Sequence, residues 1–205
     1  IKENKLHELK KEARKTPPVS VERYHLNNDI YLEYKAYSSD SALHYLNENM
    51  LLARQLNDKE RELKIQLELS YLLSSIGMYM EAADILNSID RQTLPSSLLG
   101  HYYTCYEHVY FEAGAAQPRY KMFASRYVKL SHAYRDSMQI TLDPSSATYL
   151  WLRETQLREA GKYDEALEFS DRRLAESSFG TPQYALVAYQ RFRLFESMGK
   201  KDEHL

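Results

Sequence analysis

The chain has 205 residues, of which 43% are hydrophobic and 27% are charged, and its formal net charge is −2. These proportions are those of a folded globular protein, so they argue against disorder, and the charge balance gives no electrostatic footprint for nucleic acid. The single cysteine, Cys105, excludes an intramolecular disulfide, and no apolar run approaches the roughly 18–20 residues that span a bilayer.

Glycine and proline occur only six times each, which is few for a fold that depends on turns between strands. Long amphipathic stretches with short links between them are typical of antiparallel helical hairpins. We therefore predict an all-α fold. Helices are expected at about 1–15, 21–36, 39–56, 58–76, 79–90, 95–113, 118–140, 145–160, 163–177 and 182–198, with another beginning near 201.

The first predicted helix is charged and amphipathic, and it ends before Thr16-Pro17-Pro18. Residues 1–15 contain six Lys or Arg and three Glu, a bias that fits a solvated helix face better than a membrane anchor. We interpret residues 1–20 as an N-terminal helix and linker. Residues 21–205 are interpreted as one helical domain that stops within its fifth repeat.

Local signals mark where the later helices begin and end. The stretch 57–60, Asn-Asp-Lys-Glu, predicts a capping box with Asn57 as the N-cap. Thr181-Pro182 and Asp143-Pro144 each predict an N-cap followed by proline at the first helical position, and further helix starts are expected at prolines in 94–96 and 117–118. Helix C-termini are expected at Gly77, Gly114, Gly161 and Gly199, where the apolar periodicity lapses.

Two of these boundaries repeat the same residues, since 77–86 reads GMYMEAADIL and 161–170 reads GKYDEALEFS. Ala82 and Ala166 are 84 positions apart, and Ala124 lies midway between them. Ala42 lies 40 positions before Ala82, and His204 lies 38 positions after Ala166. A period of 38–42 residues with two helices per period predicts about five hairpins. One hairpin cannot bury its apolar face alone, so neighbouring hairpins are expected to stack into a solenoid.

The repeated residues resemble the second-helix entry of the tetratricopeptide (TPR) repeat family, which has Gly, an aromatic residue two positions on, and then Glu-Ala. The matching positions are Gly77, Tyr79, Glu81, Ala82, Gly161, Tyr163, Glu165 and Ala166. The resemblance covers most of residues 21–205 and implies a right-handed α-α superhelix. The chain departs from the family in its period, usually about 34 residues, and in first-helix positions that usually hold Trp and Gly. Those positions hold Gln66 and Ser70 in one repeat and Leu150 and Glu154 in another.

A longer run, from YKAYSSDSALHYLNENM to LLGHYYTCYEHVY, is similar to the N-terminal region of a family of bacterial transcriptional regulators. In that family an exported TPR region precedes one transmembrane helix, a coiled coil and a C-terminal helix-turn-helix. The resemblance implies that this chain is a sensor region on the periplasmic side of a membrane-anchored protein. It also implies that the membrane and DNA-binding segments lie outside the chain. A cytoplasmic assembly scaffold is the alternative.

The sequence contains no P-loop, HExxH, EF-hand or GxSxG motif, so we expect no enzyme activity and no cofactor. Carboxylates such as Glu60, Glu62 and Glu68 are interpreted as solvated helix faces. His101, Cys105 and His108 share one helix face at a spacing that metals accept. No fourth ligand is marked nearby, so we predict packing and groove lining there rather than a metal site.

Tyrosine is abundant, with 18 residues. In a TPR-like stack the first helix of each pair lines the concave surface. The groove positions that are usual in the family can therefore be transferred to the predicted first helices of this chain to select a candidate site. The predicted groove residues are Tyr24, Tyr31, Tyr34, Tyr71, His101, His108, Trp151, Arg158, Tyr189 and Arg193.

Aromatic faces with polar tips suit a peptide or protein partner in this groove. A saccharide ligand and a homodimer stay open as alternatives, as does a packing role for the tyrosines. We expect no nucleic-acid partner for this fragment. We expect the protein to contact a membrane only through segments outside this fragment.

Overall fold

The computed structural model describes residues 2–116 and 119–199, and within these ranges it contains ten α-helices and no strand. The helices are α1 (Lys2–Ala13), α2 (Val21–Tyr34), α3 (Ser39–Gln55), α4 (Lys59–Ser75), α5 (Tyr79–Ser88), α6 (Ser96–Ala116), α7 (Lys121–Thr141), α8 (Ala147–Glu159), α9 (Tyr163–Glu176) and α10 (Pro182–Met198). The all-α, TPR-like fold class predicted from the sequence is confirmed. The helix start expected at 117–118 and the helix expected near 201 lie outside the described residues.

The chain forms two compact units, residues 1–137 and 138–205. In the first unit α1 packs on α2, α2 pairs with α3, α4 pairs with α5, and α6 packs on α4 and α5. In the second unit α9 packs on both α8 and α10. We call α2, α4, α6, α8 and α10 the first helices, because each corresponds to the first helix of a hairpin predicted from the sequence. The predicted division into 1–20 and 21–205 stays a prediction, and α1 contributes Leu6 and Ala13 to a small core with Ile30 of α2.

Three glycines end helices as the sequence predicts. Gly77, Gly161 and Gly199 have φ angles of 88°, 74° and 72°, in the left-handed region that favours glycine over residues with a Cβ. The prediction for Gly114 is wrong, because this residue lies inside α6. A Cβ at Gly114 would lie 3.3 Å from the Cβ of Tyr127, so the glycine lets α6 and α7 approach closely.

The N-caps agree with the sequence prediction at one helix and differ at two. Thr181 caps α10, with a proline at the start of the helix, as predicted. Asp58, rather than Asn57, caps α4, since Asn57 has a φ of 53° and ends the preceding turn. Ser146, rather than Asp143, caps α8. The side chain of Asp143 instead accepts a hydrogen bond from the backbone amide of Ser145, in the turn that precedes α8. In each case the side-chain oxygen of the cap accepts a hydrogen bond from the backbone amide three residues later.

The small residues that mark the repeat lie where paired helices meet. Ala42, Ala82 and Ala166 are each 0% exposed. Ser70 of α4 donates a hydrogen bond from its hydroxyl to the Ala82 carbonyl oxygen at 3.0 Å, which fixes α4 against α5. Larger side chains at these alanines would force the helices apart.

Two buried ion pairs connect the helices of later hairpins. Arg135 of α7 donates from Nε to Glu107 of α6 at 2.8 Å, and the two side chains are 4% and 3% exposed. Arg173 of α9 donates to Glu154 of α8, with both side chains similarly buried. Such pairs add little net stability over an apolar contact, but loss of one partner leaves an uncompensated charge in the core.

We predict that Glu154→Ala lowers the free energy of unfolding by about 3 kcal/mol, because it leaves the Arg173 guanidinium buried without its carboxylate. Urea unfolding followed by circular dichroism measures this change. Glu165→Ala is the matched control, since Glu165 pairs with Lys162 at the surface and its loss should cost less than about 1 kcal/mol. Equal effects of the two substitutions would contradict the prediction.

Candidate functional site

Side chains from α2, α4 and α6, together with the residue that follows α2, meet on one face of the first unit. We call this group the polar cluster, and its members are Tyr31, Lys35, Glu68, Tyr71, His101 and His108. Helix geometry aligns them, because within each helix the members are separated by three, four or seven positions, which places them on one face. Three successive first helices therefore contribute to one surface.

The carboxylate of Glu68 lies at the centre of the cluster. Its Oε2 accepts a hydrogen bond from the Tyr31 hydroxyl at 2.6 Å and another from Lys35 Nζ at 3.1 Å. Its Oε1 lies 3.7 Å from His101 Nε2 of the next first helix. One side chain of α4 thus connects α2 on one side with α6 on the other.

The charges of this group are set by burial and by neighbouring cations. Burial alone would raise the pKa of Glu68, but Lys35, His101 and the Tyr31 hydroxyl together lower that pKa below its ordinary value. Burial lowers the pKa of His101, against the attraction of Glu68. At neutral pH the Glu68 carboxyl is therefore ionised and the His101 imidazole is neutral.

An aromatic pair forms the other half of the cluster. The rings of Tyr71 and His108 stack with their centroids 4.0 Å apart and their planes 10° apart. Lys35 Nζ lies 4.9 Å from the centroid of the Tyr71 ring, within cation–π range. His108 Nε2 lies 2.9 Å from the hydroxyl of Ser75. Burial lowers the pKa of His108 to about 4, and burial raises the pKa of Tyr71 to about 12, so both rings are uncharged at neutral pH.

Exposure decides which members a ligand could touch. Tyr31 is 0% exposed and acts from beneath the surface. The side chains of Lys35, His101 and Glu68 are 34%, 28% and 20% exposed, so they form the open part of the cluster. The open part offers a cation, a hydrogen-bonding imidazole and a carboxylate within a few ångströms of one another.

The structure brings four of the predicted groove residues together, namely Tyr31, Tyr71, His101 and His108. Lys35 was not predicted from the sequence, and the interpretation of Glu68 as solvated is wrong, because its side chain is 20% exposed and accepts two hydrogen bonds. Both residues have the right periodicity, since Lys35 is four positions after Tyr31 and Glu68 is three before Tyr71. That spacing was a usable signal, because residues three or four apart share a helix face.

Two other predicted groove residues of the first unit have packing contacts. Tyr24 is 5% exposed and lies in the core between α2, α3 and α4. Tyr34 accepts a hydrogen bond from Lys10 of α1 at 2.7 Å and stacks on Tyr45 of α3. Their assignment to a ligand groove stays a prediction.

The second unit contains the last four predicted groove residues. Tyr189 of α10 is 59% exposed, and the side chain of Arg193, one turn later, is 56% exposed. Trp151 and Arg158 of α8 are half-buried. Both helices pack on α9, so within this unit the four residues lie on helices that share one neighbour.

The face of α6 that contains Cys105 is occupied by packing. Cys105 donates from its thiol to the Leu67 carbonyl oxygen of α4 at 3.3 Å, and burial raises the pKa of this thiol. In the part of the chain that the structure describes, no three or more His, Cys, Asp or Glu side chains are grouped to hold a metal ion. None of the described helices is both long and apolar enough to cross a bilayer.

A sequence model of the family described as the SusR N-terminal TPR domain matches residues 1–205. A comparison with curated proteins found no match. The chain belongs to the SusR N-terminal TPR domain family, which confirms the TPR resemblance. TPR domains are protein-binding or ligand-binding modules, and the helical pairs and open polar cluster of this chain agree with such a role.

We predict that the stability of the chain falls as the pH is lowered from 7 to 4.5, and that His108→Phe removes part of this loss. Below its ordinary pKa of 6.5, His108 binds a proton in the unfolded chain but not in the fold, where its pKa is about 4. Linkage then lowers the free energy of unfolding by about 2 kcal/mol over this interval. Urea unfolding at the two pH values measures the difference.

His44→Phe is the matched control, because His44 is exposed on α3 and the same change of side chain is made there outside the cluster. Phenylalanine at position 108 keeps an aromatic ring against Tyr71, so the substituted chain should fold. An unchanged pH dependence in the His108→Phe chain would contradict the assignment of a buried neutral imidazole.

Proposed function

We propose that this chain is the ligand-sensing region of a membrane-anchored bacterial transcriptional regulator and that the polar cluster is the centre of its ligand groove. The observation that carries the proposal is the convergence of three first helices on the Glu68 carboxylate. Membership of the SusR N-terminal TPR domain family supports it, as does the resemblance of the sequence to exported regions of such regulators.

The sensing mechanism follows from the way the repeats are connected. Each repeat of a solenoid contacts only its neighbours, so small changes between repeats add up along the stack. The bonds from Tyr31 to Glu68 and the contact from Glu68 to His101 cross from one repeat to the next. A ligand that exchanges its own groups for these contacts changes the spacing of α2, α4 and α6 and shifts the population of stack curvatures.

The chemistry of the open cluster favours a peptide or protein segment as the ligand. A peptide backbone supplies both donors and acceptors, which can pair with Glu68 and Lys35, while an apolar side chain can cover the Tyr71–His108 stack. A saccharide is the second candidate, because hydroxyl groups can make the same hydrogen bonds and a sugar ring can lie on the aromatic pair. In the second unit, Trp151, Arg158, Tyr189 and Arg193 are the proposed partner-binding residues, with Tyr189 and Arg193 the more exposed.

We expect Lys35→Met and His101→Phe each to weaken binding of the ligand at least tenfold, a loss of about 1.4 kcal/mol, because each removes a polar contact at the open part of the cluster. A panel of peptides and oligosaccharides is first tested for its effect on the melting temperature of the unsubstituted chain. Calorimetric titration of the variants with the compounds that raise this temperature then gives the affinities.

Arg54→Met is the control for these variants, since Arg54 is exposed on α3 and is not a member of the cluster. Tyr31→Phe distinguishes the positioning of Glu68 from direct contact with the ligand. Tyr31 is buried, so it acts on a ligand only by orienting Glu68. A compound that binds all variants as tightly as the unsubstituted chain would place the ligand site elsewhere.

The regulator role makes a second prediction about the full-length protein. An export signal is expected before Ile1, and an apolar run of about 20 residues is expected after Leu205. In spheroplasts of cells that produce the tagged full-length protein, added protease should digest the region of residues 1–205 and leave a DNA-binding segment intact. Protection of residues 1–205 in intact spheroplasts would favour the cytoplasmic scaffold instead.

A further inference from the structure

A basic and apolar surface lies at the N-terminal end of α7 and shares no residue with the polar cluster. We call it the α7 surface, and its residues are Arg119, Tyr120, Lys121, Met122, Phe123, Arg126 and Lys129. Tyr120, Met122 and Phe123 are 63%, 75% and 49% exposed. Three large apolar side chains are therefore held in solvent within four consecutive positions.

The same surface contains cations without counter-charges. Residues 113–134 contain four Lys or Arg and no Asp or Glu, although the whole chain has a net charge of −2. Within residues 2–116 and 119–199, none of these four cations forms an ion pair, whereas Lys5, Lys35, Lys59 and Lys162 all do. The α7 surface is thus a local concentration of positive charge in a mildly acidic chain.

The packing of α7 on α6 fixes which residues point outward. Tyr127 lies against Gly114 of α6, and Ser131 donates a hydrogen bond to the buried Glu107 of α6 at 2.9 Å. Helix periodicity then places Met122, on the opposite side of α7, in line with Arg126 and Lys129. The outward orientation of Met122, Arg126 and Lys129 is therefore tied to the core, whereas Arg119 and Tyr120 lie in the turn before α7.

We propose that the α7 surface binds an anionic lipid bilayer, with Tyr120, Met122 and Phe123 entering the interface and the four cations contacting lipid phosphates. Basic helices with aromatic and apolar side chains bind membrane surfaces by combining apolar burial with attraction to anionic lipids. Tyrosine suits this depth, since its ring is apolar and its hydroxyl stays in water. The contact is peripheral, and it adds a membrane contact within this chain to those expected from segments outside it.

The shape of the surface favours lipid over an acidic protein. Met122 protrudes, and a depression beside it is shallow and is lined by Met122, Ser125, Arg126, Lys129 and Leu130. A protein partner would need a matching concave surface, whereas a bilayer deforms around protruding side chains. The proposal does not depend on ligand binding at the polar cluster, because the two sites share no residue.

The test is sedimentation of the chain with vesicles of phosphatidylcholine that contain phosphatidylglycerol, compared with vesicles of phosphatidylcholine alone. We expect binding to the anionic vesicles only, and loss of this binding at about 0.5 M salt, where charges are screened within about 4 Å. Absence of binding to anionic vesicles at low salt overturns the proposal. Equal binding to both kinds of vesicle also overturns it, since the cations would then contribute nothing.

Two double variants assign the binding to the α7 surface. Arg126→Glu with Lys129→Glu should weaken binding to anionic vesicles at least tenfold, since each cation near such a surface contributes roughly fivefold. Met122→Ser with Phe123→Ser should also weaken it, at unchanged net charge. Circular dichroism confirms that each variant is folded, and folding is expected because all four side chains are exposed.

The matched controls lie on other faces of the first unit. Lys59→Glu with Lys64→Glu on α4 makes the same change in net charge, and Leu51→Ser on α3 removes an apolar side chain that is 53% exposed. Both should leave vesicle binding within about twofold of the unsubstituted chain. If the α4 charge control weakens binding as much as the α7 charge variant, the attraction is a general charge effect and the proposal fails. If the chain does not bind vesicles but binds polyglutamate through Arg126 and Lys129, the surface binds an acidic protein and the lipid proposal fails.

Discussion

The close approach of the two helices in each hairpin is the constraint on which the rest of the structure depends. At that point only a small side chain fits, and Ala42, Ala82 and Ala166 occupy it with no exposed surface. In the α6–α7 pair the small residue is instead Gly114, on the first helix of the pair. Because this contact fixes the rotation of each first helix about its axis, it also fixes which of its residues reach the open face. The convergence of α2, α4 and α6 on Glu68 is thus a consequence of core packing.

Polar contacts inside the hairpins add specificity to this apolar packing. Glu154 lies at a first-helix position where the TPR resemblance leads one to expect glycine, and its carboxylate is matched by Arg173 from the facing helix. Ser70, at the corresponding position of an earlier repeat, bonds to a carbonyl of its partner helix. A buried charged or polar group can be satisfied by only one arrangement of neighbours, so such groups disfavour slipped pairings of these similar helices. The repeats are therefore alike in backbone but differ in the side-chain contacts that join them.

The helices and their order could be predicted because the signals are local: apolar periodicity, proline at helix starts, and glycines such as Gly77 at helix ends. Gly114 was assigned wrongly because a glycine that serves close packing and a glycine that ends a helix interrupt the apolar pattern in the same way. Glu68 was assigned wrongly because its partners, Tyr31 and Lys35, lie more than thirty positions earlier in the chain. Periodicity shows which residues share a helix face, but it does not show which faces meet. The candidate site was therefore predicted in its aromatic members and missed in its charged ones.

The electrostatics of the polar cluster constrain how any ligand can act there. Glu68 stays ionised at a mostly buried position because Lys35 and the Tyr31 hydroxyl compensate its charge, so the cluster holds no spare charge that attracts a ligand from a distance. A ligand must exchange its groups for bonds that already exist, and its affinity is the difference between the two sets of bonds. The bonds that are exchanged are also those that connect neighbouring repeats. In the proposed mechanism, binding is therefore coupled to a change in repeat spacing, and a ligand of modest affinity can still shift the conformation if it binds one spacing better than the other.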